Sequence, residues 1–132
     1  MPPIHQEVDF KASPARLYEA LLDSKQFSTF SGGLPAEIDR QAGGAYKCFG
    51  AQITGRFIEL IPNKRIVQAW RVGMWGEGVY SMVKIELEAK GSGTRLILDH
   101  SGFPEENREH LDGGWPRMYW DPIKKYLQSV VN

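Results

Sequence analysis

Cysteine is almost missing: Cys48 is the one thiol in 132 residues, so no internal disulfide can form. A lone thiol with three scattered histidines, His5, His100 and His110, lacks the paired ligand spacing of a zinc site, and neither metal nor cofactor is expected. That cysteine usage fits a reducing cytoplasm. Nowhere do about eighteen apolar residues run together, which excludes a helical membrane span. Met1-Pro2-Pro3-Ile4-His5-Gln6-Glu7 has no basic region followed by an apolar stretch, so no export signal is expected. An excess of one charge is absent too. Sixteen Lys and Arg balance sixteen Asp and Glu, leaving no global field for phosphate backbones, and nucleic acid is not an expected partner. No repeat, linker, phosphate loop or nucleophile elbow is found. Gly73-Met74-Trp75-Gly76-Glu77-Gly78 lacks the strand-to-helix flanks that make glycines phosphate-binding.

What is present is core material. At 42% hydrophobic and 11% aromatic residues the chain can offset the entropy of ordering itself, and residues 1–132 have the length of a single domain with one core. Ile4, Val8 and Phe10 mark a first strand, with Gln6 breaking the alternation. Ser13-Pro14 opens a helix through Leu17, Tyr18, Leu21 and Leu22, and Ser24 is placed to cap a second short helix through Phe27 and Phe30. From Pro35 to His100, glycine-rich turns separate strand-length segments, an antiparallel meander of about six strands. In the segment Val79 to Leu87, Val79, Ser81, Val83, Ile85 and Leu87 share a face. After the Gly91-Ser92-Gly93 turn, Leu96, Leu98 and His100 point inward by the same parity.

The period then changes. Leu111, Trp115, Met118, Tyr119, Pro122, Ile123, Tyr126, Leu127 and Val130 fall on one face of a long terminal helix, opposite Arg117, Asp121, Lys124, Lys125 and Gln128. Pro116 and Pro122 interrupt its backbone bonding, so a kink or a start near Gly114 is expected. The sum is an α+β fold: a curved antiparallel sheet of about six or seven strands wrapped on a long C-terminal helix, with two short helices after the first strand.

Several stretches carry a resemblance. Pro35-Ala36-Glu37-Ile38-Asp39 through Gly43-Gly44, then Gly55-Arg56-Phe57-Ile58-Glu59-Leu60-Ile61-Pro62-Asn63-Lys64-Arg65-Ile66-Val67-Gln68-Ala69-Trp70-Arg71, then Gly114-Trp115 to Ile123-Lys124, are similar to the carboxy-terminal domain of the activator of the 90-kDa heat-shock-protein ATPase. Trp75-Gly76-Glu77-Gly78-Val79-Tyr80-Ser81 resembles a turn of the same family, and the likeness runs from about Ser13 to Tyr126. The resemblance implies the helix-grip fold of the START-like, birch-pollen-allergen-like superfamily and a non-catalytic, chaperone-related role. Eukaryotic activators carry a separate amino-terminal domain that makes much of the chaperone contact. These residues begin at the first strand, so weak or no stimulation of a chaperone is expected of this chain alone.

On the concave face the candidate ligand-binding residues are Trp70, His100, Trp115, Met118, Tyr119 and Phe49, with Phe27 and Phe30 at a mouth. Two readings stand side by side: the rings fill the space as ordinary core, or they wall a cavity for a small apolar or aromatic ligand. His100 is either a group that orients a ligand or a histidine paired inside the core. No nucleophile, metal motif or acid–base pair is found, so no enzyme activity is expected. A START-like enzyme of cyclase or condensation type using the same cavity is the alternative. A protein partner is the other binding class. Cys48 has no activating neighbour, and Glu105, Glu106, Glu109 and His110 read as helix-start electrostatics.

Overall fold

The computed structural model describes residues 2–129. Seven strands form one sheet in the order β1-β7-β6-β5-β4-β3-β2, every neighbouring pair antiparallel. They are β1 (Ile4–Phe10), β2 (Glu37–Ile38), β3 (Ala45–Cys48), β4 (Ile53–Ile61), β5 (Arg65–Val72), β6 (Ser81–Lys90) and β7 (Gly93–Ser101). Two short helices, α1 (Pro14–Leu22) and α2 (Ser24–Phe30), follow β1. After β7 a short 3-10 turn leads into α3 (Arg108–Trp115), a π-helical turn (Pro116–Trp120) and α4 (Asp121–Ser129), which together make the long terminal helix. The expected α+β helix-grip architecture is the one found, with the terminal helix packed on a curved sheet.

The expected helix start is correct: Ser13 Oγ accepts from the Arg16 backbone N–H at 3.2 Å, with Pro14 at the first helical position. The second cap differs. Asp23, not Ser24, accepts from Gln26 N at 3.0 Å, while Ser24 Oγ takes the Ile38 N–H at 2.9 Å and ties α2 to β2. Strand β6 begins at Ser81, two residues later than the alternation suggested. Val79 is left in the preceding loop, where Arg71 binds the carbonyls of Trp75, Gly76 and Val79. Inward parity along β6 and β7 holds: Ser81, Val83, Ile85, Leu87, Leu96, Leu98 and His100 are all buried.

The terminal helix departs most from its expected periodicity. Pro122 has no N–H to give to the turn before it, and its ring crowds the carbonyl four residues back. The backbone answers with one wide turn, in which the Asp121 N–H bonds to the Pro116 carbonyl, an i to i−5 link. That extra residue rotates the following face. Tyr119 and Trp120 both turn inward, at 8% and 2% exposure, whereas Met118, expected on the buried face, is 39% exposed. Trp115 and Ile123 are buried as expected, Tyr126 only partly, and Val130 lies outside the described residues. Gln6, which broke the alternation of β1, turns out to be the partner of Trp120. Its Oε1 accepts the indole N–H at 2.8 Å, and its amide donates to Asp112 O at 2.8 Å and Oδ1 at 2.7 Å. An indole buried on the sheet would otherwise leave its donor unpaired, at about 1–3 kcal/mol.

Candidate functional site

A cleft of about 300 Å³ opens between the terminal helix and the sheet. The sheet side contributes Phe49, Ile53, Trp70 and Val72; the helix contributes Leu111, Gly114, Trp115, Met118 and Tyr119. Gln52, His110 and Arg117 add polar groups, and all three are exposed. Five candidate residues, Phe49, Trp70, Trp115, Met118 and Tyr119, are therefore brought together on one cleft.

Phe49 reaches the wall through an uncommon backbone. Phe49, Gly50 and Ala51 lie consecutively in the left-handed region, at φ of 54°, 65° and 73°. Gly50 adopts that conformation without penalty, but the two flanking side chains store strain of about 1–3 kcal/mol each. The turn sets the Phe49 ring at 5.3 Å from Tyr119 and 5.4 Å from Phe27, centroid to centroid. Trp115 stands at the centre of the aromatic set, 4.3 Å from Tyr119, 5.6 Å from Trp70 and stacked on Trp120 at 5.4 Å and 15°. The Trp70 indole N–H reaches the Tyr119 hydroxyl at 3.5 Å, the outer limit of a hydrogen bond.

Three candidates do not line this cleft. Phe27 is buried behind Phe49 and Tyr119, and Phe30 belongs to a separate surface hollow beside Tyr126. His100 is fully buried behind the two tryptophans, with ring centroids 4.9 Å from Trp70 and 5.7 Å from Trp115. Inward parity alone gives the face of a residue and not its depth behind larger neighbours.

The hydrogen bonds of His100 fix its chemistry. Trp115 Nε1–H can only donate, and at 3.1 Å from His100 Nδ1 it makes that nitrogen the acceptor. The proton therefore sits on Nε2, which donates to Ser81 Oγ at 2.8 Å, and Ser81 in turn donates to the Trp70 carbonyl at 2.9 Å. Both nitrogens are satisfied in the neutral ring, and burial lowers the His100 pKa to about 4. The unfolded chain takes up this proton near pH 6.5, so between those values the unfolded state binds more protons and stability falls as pH falls. Urea melts should lose about 3 kcal/mol from this group between pH 6.5 and 4, and His100→Gln should flatten that slope. His5 acts in the opposite sense, its pKa raised by hydrogen bonds to Asp99 and Glu7, while Asp9, Glu19 and Glu105, lowered by their basic partners, act in the same sense as His100. The His100 contribution is therefore read as the difference between chains with and without His100→Gln in a His5→Gln background.

Three further buried groups of the concave side, Cys48, Tyr46 and Tyr119, are also held neutral. Burial pushes the Cys48 thiol up to about 12 and raises the Tyr46 and Tyr119 hydroxyls above their ordinary range. Lys47 points to the exposed side of β3 while Cys48 is buried, so the thiol gains no cationic neighbour there. At the helix start Glu105 pairs with Arg108 at 2.6 Å, and no metal-holding group of three His, Cys, Asp or Glu side chains occurs among the described residues. Nor, among them, is any helix long and apolar enough to cross a membrane.

Sequence reasoning left several lining residues unassigned. Ile53 and Val72 sit at strand ends where alternation gives no face, and Arg117 was assigned to the solvent side of the helix. Arg117 is exposed, yet its guanidinium lies back toward Gly114, with Nη2 3.8 Å from where a Cβ there would stand. A helical arginine leans toward the preceding turn, and a glycine at that place was the available signal.

Residues 11–128 match the family described as "Activator of Hsp90 ATPase homolog 1-like protein". The human activator of 90 kDa heat shock protein ATPase homolog 1 is 29% identical over 116 residues, 88% of this chain and 34% of the human protein. The chain thus spans about a third of the length of the curated relatives it matches. A crystal structure of an HSP90 activator from Plasmodium falciparum superposes with a TM-score of 0.90 at 27% identity, covering 97% of both chains. A solution structure of an Aha1 dimer from Colwellia psychrerythraea gives 0.79 at 21% identity, covering 94% of each, a likeness of fold alone. The quoted resemblance, the helix-grip topology and a match over nearly the whole length agree: the chain belongs to the family of proteins like activator of Hsp90 ATPase homolog 1.

Proposed function

We propose that this chain is a non-catalytic binding domain of the Hsp90-activator type, whose cleft takes a small apolar or aromatic ligand. The observation that carries the reading is the cleft itself. Its volume of about 300 Å³ lies at the lower end of ordinary ligand sites, and two indoles, a phenyl ring and a thioether wall it. Rings and thioether offer polarisable contact at little entropic cost. The buried groups nearest the wall, His100, Cys48 and Tyr119, are neutral near pH 7, which suits orientation of a ligand better than the proton transfers of a cyclase or condensing enzyme. Titration with small aromatic compounds, followed by chemical shifts, should give saturable changes at the Trp70 and Trp115 indole N–H groups. Changes confined to the outer face of the sheet would overturn the reading.

A protein partner is the second reading, favoured by the loop between β5 and β6. Met74 is 94% exposed and Tyr80 50% exposed, yet the loop is ordered from beneath. Arg71 donates to the Trp75 carbonyl at 2.7 Å, to Gly76 at 2.9 Å and to Val79 at 3.3 Å, and its guanidinium lies 5.5 Å from the centre of the Tyr80 ring. A preorganised loop that presents apolar side chains loses little further freedom on docking. By the names of its relatives the partner would be a 90-kDa heat-shock chaperone. Since the match spans only 34% of the human relative, this chain alone is expected to stimulate a chaperone ATPase weakly or not at all. Strong stimulation in a steady-state ATPase assay would contradict that expectation.

A further inference from the structure

We propose that the ligand of the cleft is a compact monocarboxylate, its aromatic or short aliphatic body against the wall that Trp70 and Trp115 form together and its carboxylate held by Arg117. The proposal rests on the reading of the cleft as a small-molecule site and adds the charge and size of what enters it. Among the described residues no carboxylate lies within ion-pair distance of Arg117, although ten other ion pairs are formed across the surface. Asp121, the acidic residue nearest along the helix, is among those it leaves unpaired. The free guanidinium lies over Gly114, where the missing side chain leaves room for it beside the apolar wall.

The geometry selects the ligand by three features. A planar guanidinium takes a carboxylate through two parallel N–H bonds, and His110, on the same stretch of helix and also lining the cleft, offers a further N–H donor. Arg117 is the one Arg or Lys among the described lining residues, so a single negative charge is matched and a phosphomonoester is not. At interior packing density, about 300 Å³ accommodates on the order of 10–15 non-hydrogen atoms, so a long-chain fatty acid would leave much of its chain in water while a compact body is covered.

The test compares 4-phenylbutanoate with 4-phenylbutan-1-ol, two probes that share a carbon skeleton, in titrations of the wild-type chain and of Arg117→Gln followed at the Trp70 and Trp115 indole resonances. The wild-type chain should bind the acid about tenfold more tightly than the alcohol, a preference that shrinks at high salt. Arg117→Gln should bring the two affinities together while leaving that for the alcohol unchanged. Because Arg117 is exposed and makes no ion pair among the described residues, the variant should fold as the wild type does. Equal binding of acid and alcohol by the wild type, or a preference that survives in Arg117→Gln, would overturn the carboxylate assignment and leave the apolar cleft standing. Failure of both compounds to move Trp70 and Trp115 would overturn the cleft reading itself.

Discussion

Gly55→Ala should be among the most damaging single substitutions in this chain, costing more than about 4 kcal/mol or abolishing folding, although it adds one methyl group. In most strands the change would be mildly favourable, because alanine loses less backbone entropy than glycine, by roughly 0.5–1 kcal/mol. Here the space is taken. Gly55 on β4 faces Tyr46 on β3 and Trp70 on β5, and the Tyr46 ring crosses over it so that its hydroxyl donates to the Ala69 carbonyl at 2.8 Å. A Cβ at residue 55 would stand 1.9 Å from that carbonyl oxygen and 2.5 Å from the Tyr46 hydroxyl. The side chain can swing aside, but the carbonyl belongs to the sheet backbone between β4 and β5 and cannot move without disturbing that pairing. The two obstacles separate by experiment. Tyr46→Phe alone should cost about 1 kcal/mol for the lost hydrogen bond, and Gly55→Ala combined with Tyr46→Ala should not recover stability, because the backbone clash remains. Urea denaturation with circular dichroism reads both, and a Gly55→Ala chain within about 1 kcal/mol of wild type would refute the account.

Features of this kind mark where the sequence stops being legible. The meander, the inward faces of β6 and β7 and the start of α1 follow from local rules: alternation, turn glycines, a serine before a proline. Each is decided within a few residues. Gly55 could be seen as a glycine inside a strand, but nothing local says which ring covers it, since Tyr46 comes from the neighbouring strand. The same limit hid the environment of Gln6, whose partner Trp120 is 114 residues away. In the terminal helix the two prolines were visible and a kink was expected from them. The form the backbone took, one wide turn, exchanged Met118 for Trp120 on the buried face, and a period of 3.6 cannot reproduce that. For the cleft, residue type and face were enough to name Phe49, Trp70, Trp115, Met118 and Tyr119, which share one lining. Depth did not follow from parity, which is why His100 lies behind the wall rather than on it, and why Arg117, assigned to solvent, stands at its edge.

Trp115 ties the terminal helix to the buried histidine, so its removal should be felt in stability, in acid response and in the cleft together. The ring is 2% exposed and packed between Trp70, Tyr119 and Trp120, so Trp115→Ala should cost about 3–5 kcal/mol from lost burial and the cavity left behind. It also strips His100 Nδ1 of its donor, leaving a buried acceptor unpaired. Trp115→Phe separates the contributions, keeping an aromatic ring while removing the indole N–H, and should cost less than the alanine variant. Once the alanine cavity joins the cleft, water reaches His100, and the burial that holds its pKa near 4 is relieved. The folded and unfolded pKa values then converge, so the loss of stability between pH 6.5 and 4 should be smaller in Trp115→Ala than in wild type, even though the variant is less stable at every pH. Denaturation series at pH 7, 5.5 and 4.5 measure that slope directly. An undiminished acid slope would show that His100 is held neutral without Trp115, and a loss below about 1 kcal/mol at pH 7 would place the indole outside the packed core.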